Sequence, residues 1–335
     1  MSDAPSTLVI VPAGKMGHEV QCVGVAEALG ATPDILRVTL RPPWSWLAPH
    51  GPAQPSLSHH IATDADLVLA SGRQAIPLAR AIARRQSPRP LVVAIQAPRT
   101  NPADFDLVWA NTHDRLSGPN VITSVTSPNR LTKDGLAVAA AHLRARLPDL
   151  PTPWVGVLVG GTSQSYRFGP DEAAALGDAL ATFAARHDVS LVITPSRRTG
   201  EDNVDVLEAR LAATPHWIWR GEGDNPLFGI YGGADAFVVT CDSVNMIGEA
   251  SFTGKPILAW PLPGGRAKFG RFHEAMVAHG AMRWFDGTWP AASYPSFDTT
   301  AAVAAAIRER LLEAPGGNAP GQNAGAGFSR KPARP

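Results

Sequence analysis

Apolar runs of strand length recur along the chain at Leu8–Pro12, Leu67–Ala70, Leu91–Gln96 and Leu107–Ala110, and again at Val155–Val159, Leu191–Thr194, Ala236–Thr240 and Ile257–Trp260. Longer segments with helical spacing of apolar residues lie between them. A strand with one wet face alternates apolar and polar residues, whereas a continuous apolar run is covered on both sides, as in a parallel sheet flanked by helices. The pattern predicts an α/β protein. The two series are separated by LPDLPTPW (Leu147–Trp154), whose prolines stop a helix and favour extended backbone. This predicts a first domain over 1–148, a linker over 149–154 and a second domain over 155–315. Beyond Pro315 the chain is poor in apolar residues, and 316–335 is expected to be a disordered tail.

Both halves open alike. In the first, a strand runs into AGKMGHEVQ (Ala13–Gln21) and then a helix containing Ala26 to Leu29; in the second, a strand runs into GGTSQSYRF (Gly160–Phe168), with a helix from about Pro170. A glycine-rich turn after the first strand lets backbone approach a ligand where a side chain would obstruct it, so each half is read as Rossmann-like. Two such domains facing each other create a cleft. Neither turn is GxGxxG and no GxxxxGK[ST] occurs, so a nicotinamide enzyme or a P-loop kinase lacks its expected motif.

The segment from Asp235 to Pro261 reads as strand, polar turn (Cys241, Asp242, Ser243), helix carrying Glu249, Gly-Lys-Pro break and second strand. That βαβ unit puts small polar groups and free N–H donors at a helix N-terminus, where an anion would sit, with Asp242 or Ser243 able to cap the helix. The alternative is an ordinary capped helix between core strands. Arg197 and Arg198 follow a strand in ITPSRRTG, and their guanidinium forks suit a diphosphate; the alternative is a solvated loop. Arg73 in SGRQ and Gln96 to Arg99 in IQAPR also end strands, and could hold an anionic or polyhydroxylated acceptor. Lys255 reads as a helix-end residue, Lys15 is weak evidence for phosphate, and Met246 and Met276 read as core.

Composition narrows the classes. At 335 residues there is room for two domains, and 30 basic against 29 acidic residues give no electrostatic footprint for nucleic acid. Cys22 and Cys241 lie far apart in apolar segments, as reduced packed thiols do. The N-terminal MSDAPSTLVIVP has no basic stretch, and its apolar run is too short for a signal peptide or membrane span, so a cytoplasmic protein is expected, with peripheral contact at the inner membrane left open. Trp44, Trp46 and Leu47 sit among prolines in RPPWSWLAPHGP, either as a packed loop or as a contact for headgroups or a lipid-linked acceptor.

The stretches GKMGHEVQ, SGRQAIPLA, IQAPR, LVGGTSQSYRF, ITPSRRTG and VVTCDSVNMIGEASFTGKP, which reach across both halves, resemble GT-B glycosyltransferases. More closely they resemble the mitochondrial-fission (elongated mitochondria) family, whose bacterial members are often labelled sugar-nucleotide epimerases. The resemblance implies a GT-B-like fold with parallel sheets facing across a cleft, the nucleotide-sugar side in the second domain and the acceptor side in the first. It further implies that Gly160, Gly161, Thr162, Ser163 and Gln164 lie near a diphosphate, that Ser243 and Asn245 add donors, and that Glu249 meets ribose or sugar hydroxyls. Cys241-Asp242-Ser243 stands where such transferases carry Gly-Ala-Gly, and Asp242 there would repel a diphosphate. In this geometry His18 faces the cleft as the general-base candidate, with Glu19 as its neighbouring alternative; otherwise His18 is a helix-start residue bonded to backbone.

The function expected is a metal-independent transferase moving a sugar from a nucleoside diphosphate to an envelope-related acceptor, with no cofactor and no DxD-type carboxylate pair at a strand end. A sugar-nucleotide 2-epimerase would need more carboxylates around the sugar than are visible. A non-catalytic adaptor that keeps the fold is the alternative from another class.

Overall fold

The computed structural model describes residues 4–85, 89–290 and 293–313, so the expected tail lies outside the described residues. The first half runs β1 (Thr7–Pro12), α1 (Met16–Ala28), β2 (Asp34–Val38), α2 (Trp44–Leu47), β3 (Leu67–Ala70), α3 (Ile76–Ala83), β4 (Leu91–Ile95), β5 (Leu107–Asn111), β6 (Val121–Ser124) and α4 (Lys133–Arg146). The second runs β7 (Trp154–Val159), α5 (Pro170–His187), β8 (Ser190–Pro195), α6 (Glu201–Arg210), β9 (His216–Ile218), α7 (Leu227–Gly233), β10 (Ala236–Thr240), α8 (Val244–Ser251), β11 (Ile257–Trp260), α9 (Ala267–Ala278), β12 (Met282–Trp284) and α10 (Thr299–Glu313). Each half holds a 6-stranded sheet, ordered β2-β1-β3-β4-β5-β6 and β12-β11-β10-β7-β8-β9, with every pairing parallel. These are the two Rossmann-like halves of a GT-B-like fold.

Every strand legible as an apolar run is an interior strand. Those that escape that reading, β2, β6, β9 and β12, are the sheet edges. An edge strand is covered less completely, so DILRV, VITS, HWI and MRW carry polar or charged residues among the apolar ones, and none is buried throughout.

Strand order also fixes where a ligand can enter. In an open parallel sheet the crevice forms beyond the carboxyl ends of the strands, where the winding direction reverses. The first sheet reverses between β1 and β3, the second between β7 and β10.

Packing crosses the boundary drawn from the prolines. Leu136 and Leu143 of α4 are buried with Trp154, Ile230 and Tyr231 of the second half, whereas Val303, Ala304 and Ile307 of α10 are buried with Val9, Val25, Leu107 and Trp109 of the first. The division 1–148 and 155–315 therefore misassigns both helices by their packing. The prolines mark where α4 ends, and Trp154, counted in the linker, is the buried first residue of β7. The chain passes between halves earlier, beside its own return: Thr126 Oγ1 and Thr299 Oγ1 are 2.7 Å apart, and the Asn129 amide donates to Thr300 Oγ1 at 2.8 Å. Gly24 of α1 admits this crossover, because a Cβ there would stand 2.2 Å from the Asn129 carbonyl oxygen.

Lys255, expected at a helix end, closes α7: its ammonium donates to the Gly232 and Ala234 carbonyls at 2.8 and 2.5 Å. Truncating a buried aliphatic side chain leaves a cavity that costs about 2–5 kcal/mol. Ile307→Ala should therefore lower stability in urea unfolding by that amount, although position 307 lies at the far end of the sequence from the sheet it covers. A loss below about 1 kcal/mol would contradict the packing of α10 on the first half.

Candidate functional site

On the first wall of the cleft, β1 ends in a turn where Gly14 takes φ +72°, and α1 begins at Met16. Gly17 and His18 thus belong to the first helical turn rather than to the glycine turn. No side chain caps α1; the His18 amide donates to the Lys15 carbonyl at 3.0 Å, which leaves the Met16 and Gly17 N–H groups at the cleft rim. His18 Nδ1 lies 2.8 Å from Ser71 Oγ, a fully buried hydroxyl just after β3. This bond joins the two loops of the first switch point. Burial, reinforced by the Lys15 charge, holds the imidazole below its usual 6.5, so at neutral pH it is an uncharged proton acceptor. Gly72 is required here: its φ is +88°, and a Cβ would meet Pro12 at 2.7 Å and His18 Cδ2 at 3.3 Å.

The neighbouring candidates have other partners. Glu19 accepts a two-pronged bond from Arg37, at 2.8 and 2.6 Å, and does not line the cleft. Arg73 donates to the carbonyls of Ala48, Ser45 and Trp46 at 2.6, 2.8 and 3.0 Å, bracing the α2 loop instead of facing an acceptor. Of residues 96–99 only Gln96 lines the cleft, bonded to Gln21 at 2.7 Å.

The second wall is built on the other switch point. Ser243 caps α8, accepting from the Met246 amide at 3.3 Å. Asp242 neither caps the helix nor turns outward. Its buried carboxylate accepts from Thr240 Oγ1 at 2.7 Å, the Gly161 amide at 3.1 Å and the Arg198 guanidinium at 2.8 Å. The repulsion expected of it toward a diphosphate is offset by the arginine. The same knot accounts for the glycine pair: a Cβ at Gly160 would lie 2.1 Å from Asp242 Oδ1, and one at Gly161 would lie 2.1 Å from the Arg198 carbonyl oxygen. These glycines admit neighbouring protein loops.

Thr162, Ser163 and Gln164 fold onto their own turn, with Thr162 Oγ1 bonded to Phe168 and Ser163 Oγ accepting from Tyr166, and none of the three lines the cleft. Glu249 is also elsewhere. It accepts from the Tyr231 hydroxyl at 2.9 Å, and burial pushes its carboxyl above the usual range while that bond opposes the shift.

What the fold brings together is a cleft of about 650 Å³ between the halves. Lys15, His18 and the α1 N-terminus face Arg197, Arg198, Asn245 and the α8 N-terminus. Its two carboxylates are each held by a cation, Asp242 by Arg198 and Asp114 by Lys268 at 3.1 Å. Arg197 and Lys15 make no hydrogen bond or ion pair through their side chains with the described residues. The site therefore carries uncompensated positive charge beside two helix N-termini, an arrangement that favours an anion. Asn111, His113, Gln21, Lys268 and Phe269 complete the lining and escaped the sequence reading. Asn111 and His113 follow directly on the apolar run Leu107–Ala110, so strand-end position could have flagged them; nothing local marks Lys268 or Phe269.

Two outcomes follow from this electrostatic arrangement. Asp242→Ala strands the Gly161 amide and Thr240 hydroxyl without their acceptor, and at about 1–3 kcal/mol for each buried group should lower stability by roughly 2–6 kcal/mol in chemical denaturation. In an NMR titration His18 should titrate below 6.5, and Lys15→Ala should move it upward but not past that value, since burial is the larger cause. The sign is fixed by linkage. With its folded pKa depressed, His18 binds fewer protons in the folded state, so its stability contribution is complete above 6.5 and is lost as pH falls through the folded value.

Residues 16–311 match the protein family described as Mitochondrial fission ELM1. The Mitochondrial fission protein ELM1 of Arabidopsis thaliana is 32% identical over 275 residues, covering 73% of this chain, and the chain spans 64% of that relative. The UDP-GlcNAc 2-epimerase of Neisseria meningitidis, solved bound to UDP-GlcNAc, superposes with a TM-score of 0.60 at 13% identity over 92% of this chain and 100% of its own. A putative UDP-N-acetylglucosamine 2-epimerase of Listeria monocytogenes gives 0.62 at 12% identity, over 92% and 98%. At such identities the likeness is one of fold.

Proposed function

We propose that this chain, which belongs to the Mitochondrial fission ELM1 family, binds a nucleoside-diphosphate sugar between its two halves and transfers the sugar to a hydroxyl acceptor. The observation that carries the reading is the opposition of the two switch points across one cleft: a neutral imidazole held by Ser71 on one side, Arg197 and the α8 N-terminus on the other.

In this reading Ser71 holds Nδ1 of His18 and leaves Nε2 to receive the acceptor's hydroxyl proton. As the acceptor oxygen bonds to the anomeric carbon, the bond from that carbon to the phosphoryl oxygen breaks. Its electron pair departs on the diphosphate, where Arg197 and the α8 amides stabilise the developing charge. Charge compensation is assigned to these groups because they line the cleft and offer a guanidinium and helix N–H donors to an anion.

Epimerisation at C2 would call for carboxylates free to exchange a proton with carbon. Asp114, Asp242 and Glu19 are each paired with a cation, which supports transfer instead.

The acceptor in this proposal is envelope-related and reached at a membrane surface. No helix among the described residues is long and apolar enough to cross a bilayer. Trp46 and Leu47, 74% and 50% exposed on the loop braced by Arg73, are the proposed peripheral contact, with Trp44 half-buried behind them.

Titration calorimetry with nucleoside diphosphates tests the binding step. Arg197→Ala should weaken the nucleotide that binds by about tenfold, the usual scale of a charge-assisted contact, at unchanged Tm, while Glu249→Ala, outside the cleft, should leave affinity as it is. If no nucleoside diphosphate binds, or if Arg197→Ala binds like the wild type, the reading is wrong.

Catalysis is read from nucleoside diphosphate release. His18→Ala should lower turnover about 100-fold at constant nucleotide affinity, and the acidic limb of the wild-type pH profile should fall below 6.5. Tight binding without release in the presence of varied hydroxyl acceptors would favour a non-catalytic role.

A further inference from the structure

At the carboxyl end of β5, Asn111 and His113 are each 8% exposed, line the cleft, and hold buried polar atoms without a hydrogen-bond partner: Asn111 Oδ1 and His113 Nε2. A buried polar group left unpaired is costly, so two of them within three residues of chain need a physical account. Their neighbours make them no offer. The Asp114 carboxylate stands 3.7 Å from His113 Nε2, beyond hydrogen-bond reach, and is drawn to Lys268 at 3.1 Å. Arg271 donates to the His113 backbone carbonyl at 3.2 Å, tying this turn to α9 of the other half and leaving the ring nitrogen free.

Gln21 and Gln96 pair with each other, and burial, followed by the Lys268 charge, keeps the His113 imidazole below its usual value and thus uncharged, against the opposing effect of Asp114. The carboxamide of Asn111 needs both a donor and an acceptor, whichever way it is turned. A phosphoryl group accepts only. A hydroxyl group does both.

We infer that Asn111 and His113 form a specificity subsite for an uncharged, hydroxyl-bearing group, distinct from the anion-binding wall at Arg197. The inference rests on the nucleotide-sugar reading above and adds to it the chemical class bound on the first-domain wall. That group is the donor's sugar or the acceptor's hydroxylic part, and the two sources separate by experiment. A structural role predicts that replacing Asn111 destabilises the fold. A recognition role predicts the opposite, because Asn111→Leu removes an orphaned polar atom at similar volume and should leave Tm unchanged or raise it while binding is lost.

The test uses the full chain, with uridine, adenosine and guanosine diphosphates, their glucose conjugates, and free N-acetylglucosamine added to the diphosphate-saturated protein. For donor-sugar recognition, Asn111→Leu and His113→Leu should weaken the glucose conjugate at least tenfold while the bare diphosphate changes less than twofold. For acceptor recognition the conjugate is unaffected and the loss appears with N-acetylglucosamine. Side-chain NMR of His113 in the unaltered protein gives the same answer without a variant, since its ring signals should move with the hydroxylic probe and stay in place with bare diphosphate. Equal binding of every probe by variants and wild type, with a silent His113 ring, overturns the subsite and leaves the diphosphate site standing. If no diphosphate binds, that earlier reading falls by itself, and the His113 response to N-acetylglucosamine alone then decides the subsite.

Discussion

The buried carboxylate of Asp242 is the constraint on which the second wall of the cleft depends. It ties three strand ends together: Thr240 at the close of β10, the Gly161 amide after β7 and the Arg198 guanidinium after β8. Charge-assisted bonds of this kind contribute about 1.5–3 kcal/mol each when their partners are held in place. The glycines at 160 and 161 follow from that demand, since any side chain would collide with the carboxylate or with the Arg198 backbone. With Asp242 engaging Arg198, Arg197 is the cation of this wall without a side-chain partner among the described residues.

The first wall is organised by a lighter contact of the same topology. His18 and Ser71 join the loops after β1 and β3 as Asp242 and Gly161 join those after β10 and β7, so each sheet closes its switch point with one hydrogen-bonded pair. The chemistry of the two pairs differs. One is a buried carboxylate held by an arginine that reaches solvent, the other an imidazole that burial keeps neutral at the cleft edge. Positive charge lies on both walls, from Lys15 on the first and Arg197 on the second, while the polar side chains of His18, Gln21, Gln96, Asn111 and His113 all line the first.

The exchange of helices holds these walls opposite each other. α4 is packed on the second sheet and α10 on the first, so each half is completed by chain that adjoins the other in sequence. The two crossing segments are bonded through Thr126, Asn129, Thr299 and Thr300, and the Asp114–Lys268 and His113–Arg271 contacts bridge the far side. The sequence reading could not see this exchange, because amphipathic spacing says that a helix has a buried face but not which sheet covers it.

Local pattern determined a good deal. Doubly covered strands declare themselves as continuous apolar runs, and the runs gave every interior strand, the α/β class and the places where strands end, while motif resemblance added the family and the paired-domain architecture. Arg197, named from its strand end, and His18, Ser243 and Asn245, named with the help of the family resemblance, all line the cleft. Edge strands were lost because partial exposure lets polar residues into them. Tertiary structure alone decided what each strand-end residue does: Glu19 turns to Arg37, Arg73 to the α2 loop, Asp242 inward and Glu249 to Tyr231. The physical reason is that spacing fixes a side chain's place on its own element, whereas its partner comes from another element brought near by the fold. Hydrogen-bond and charge complementarity between such distant segments is a property of their packing, and neither segment's sequence contains it.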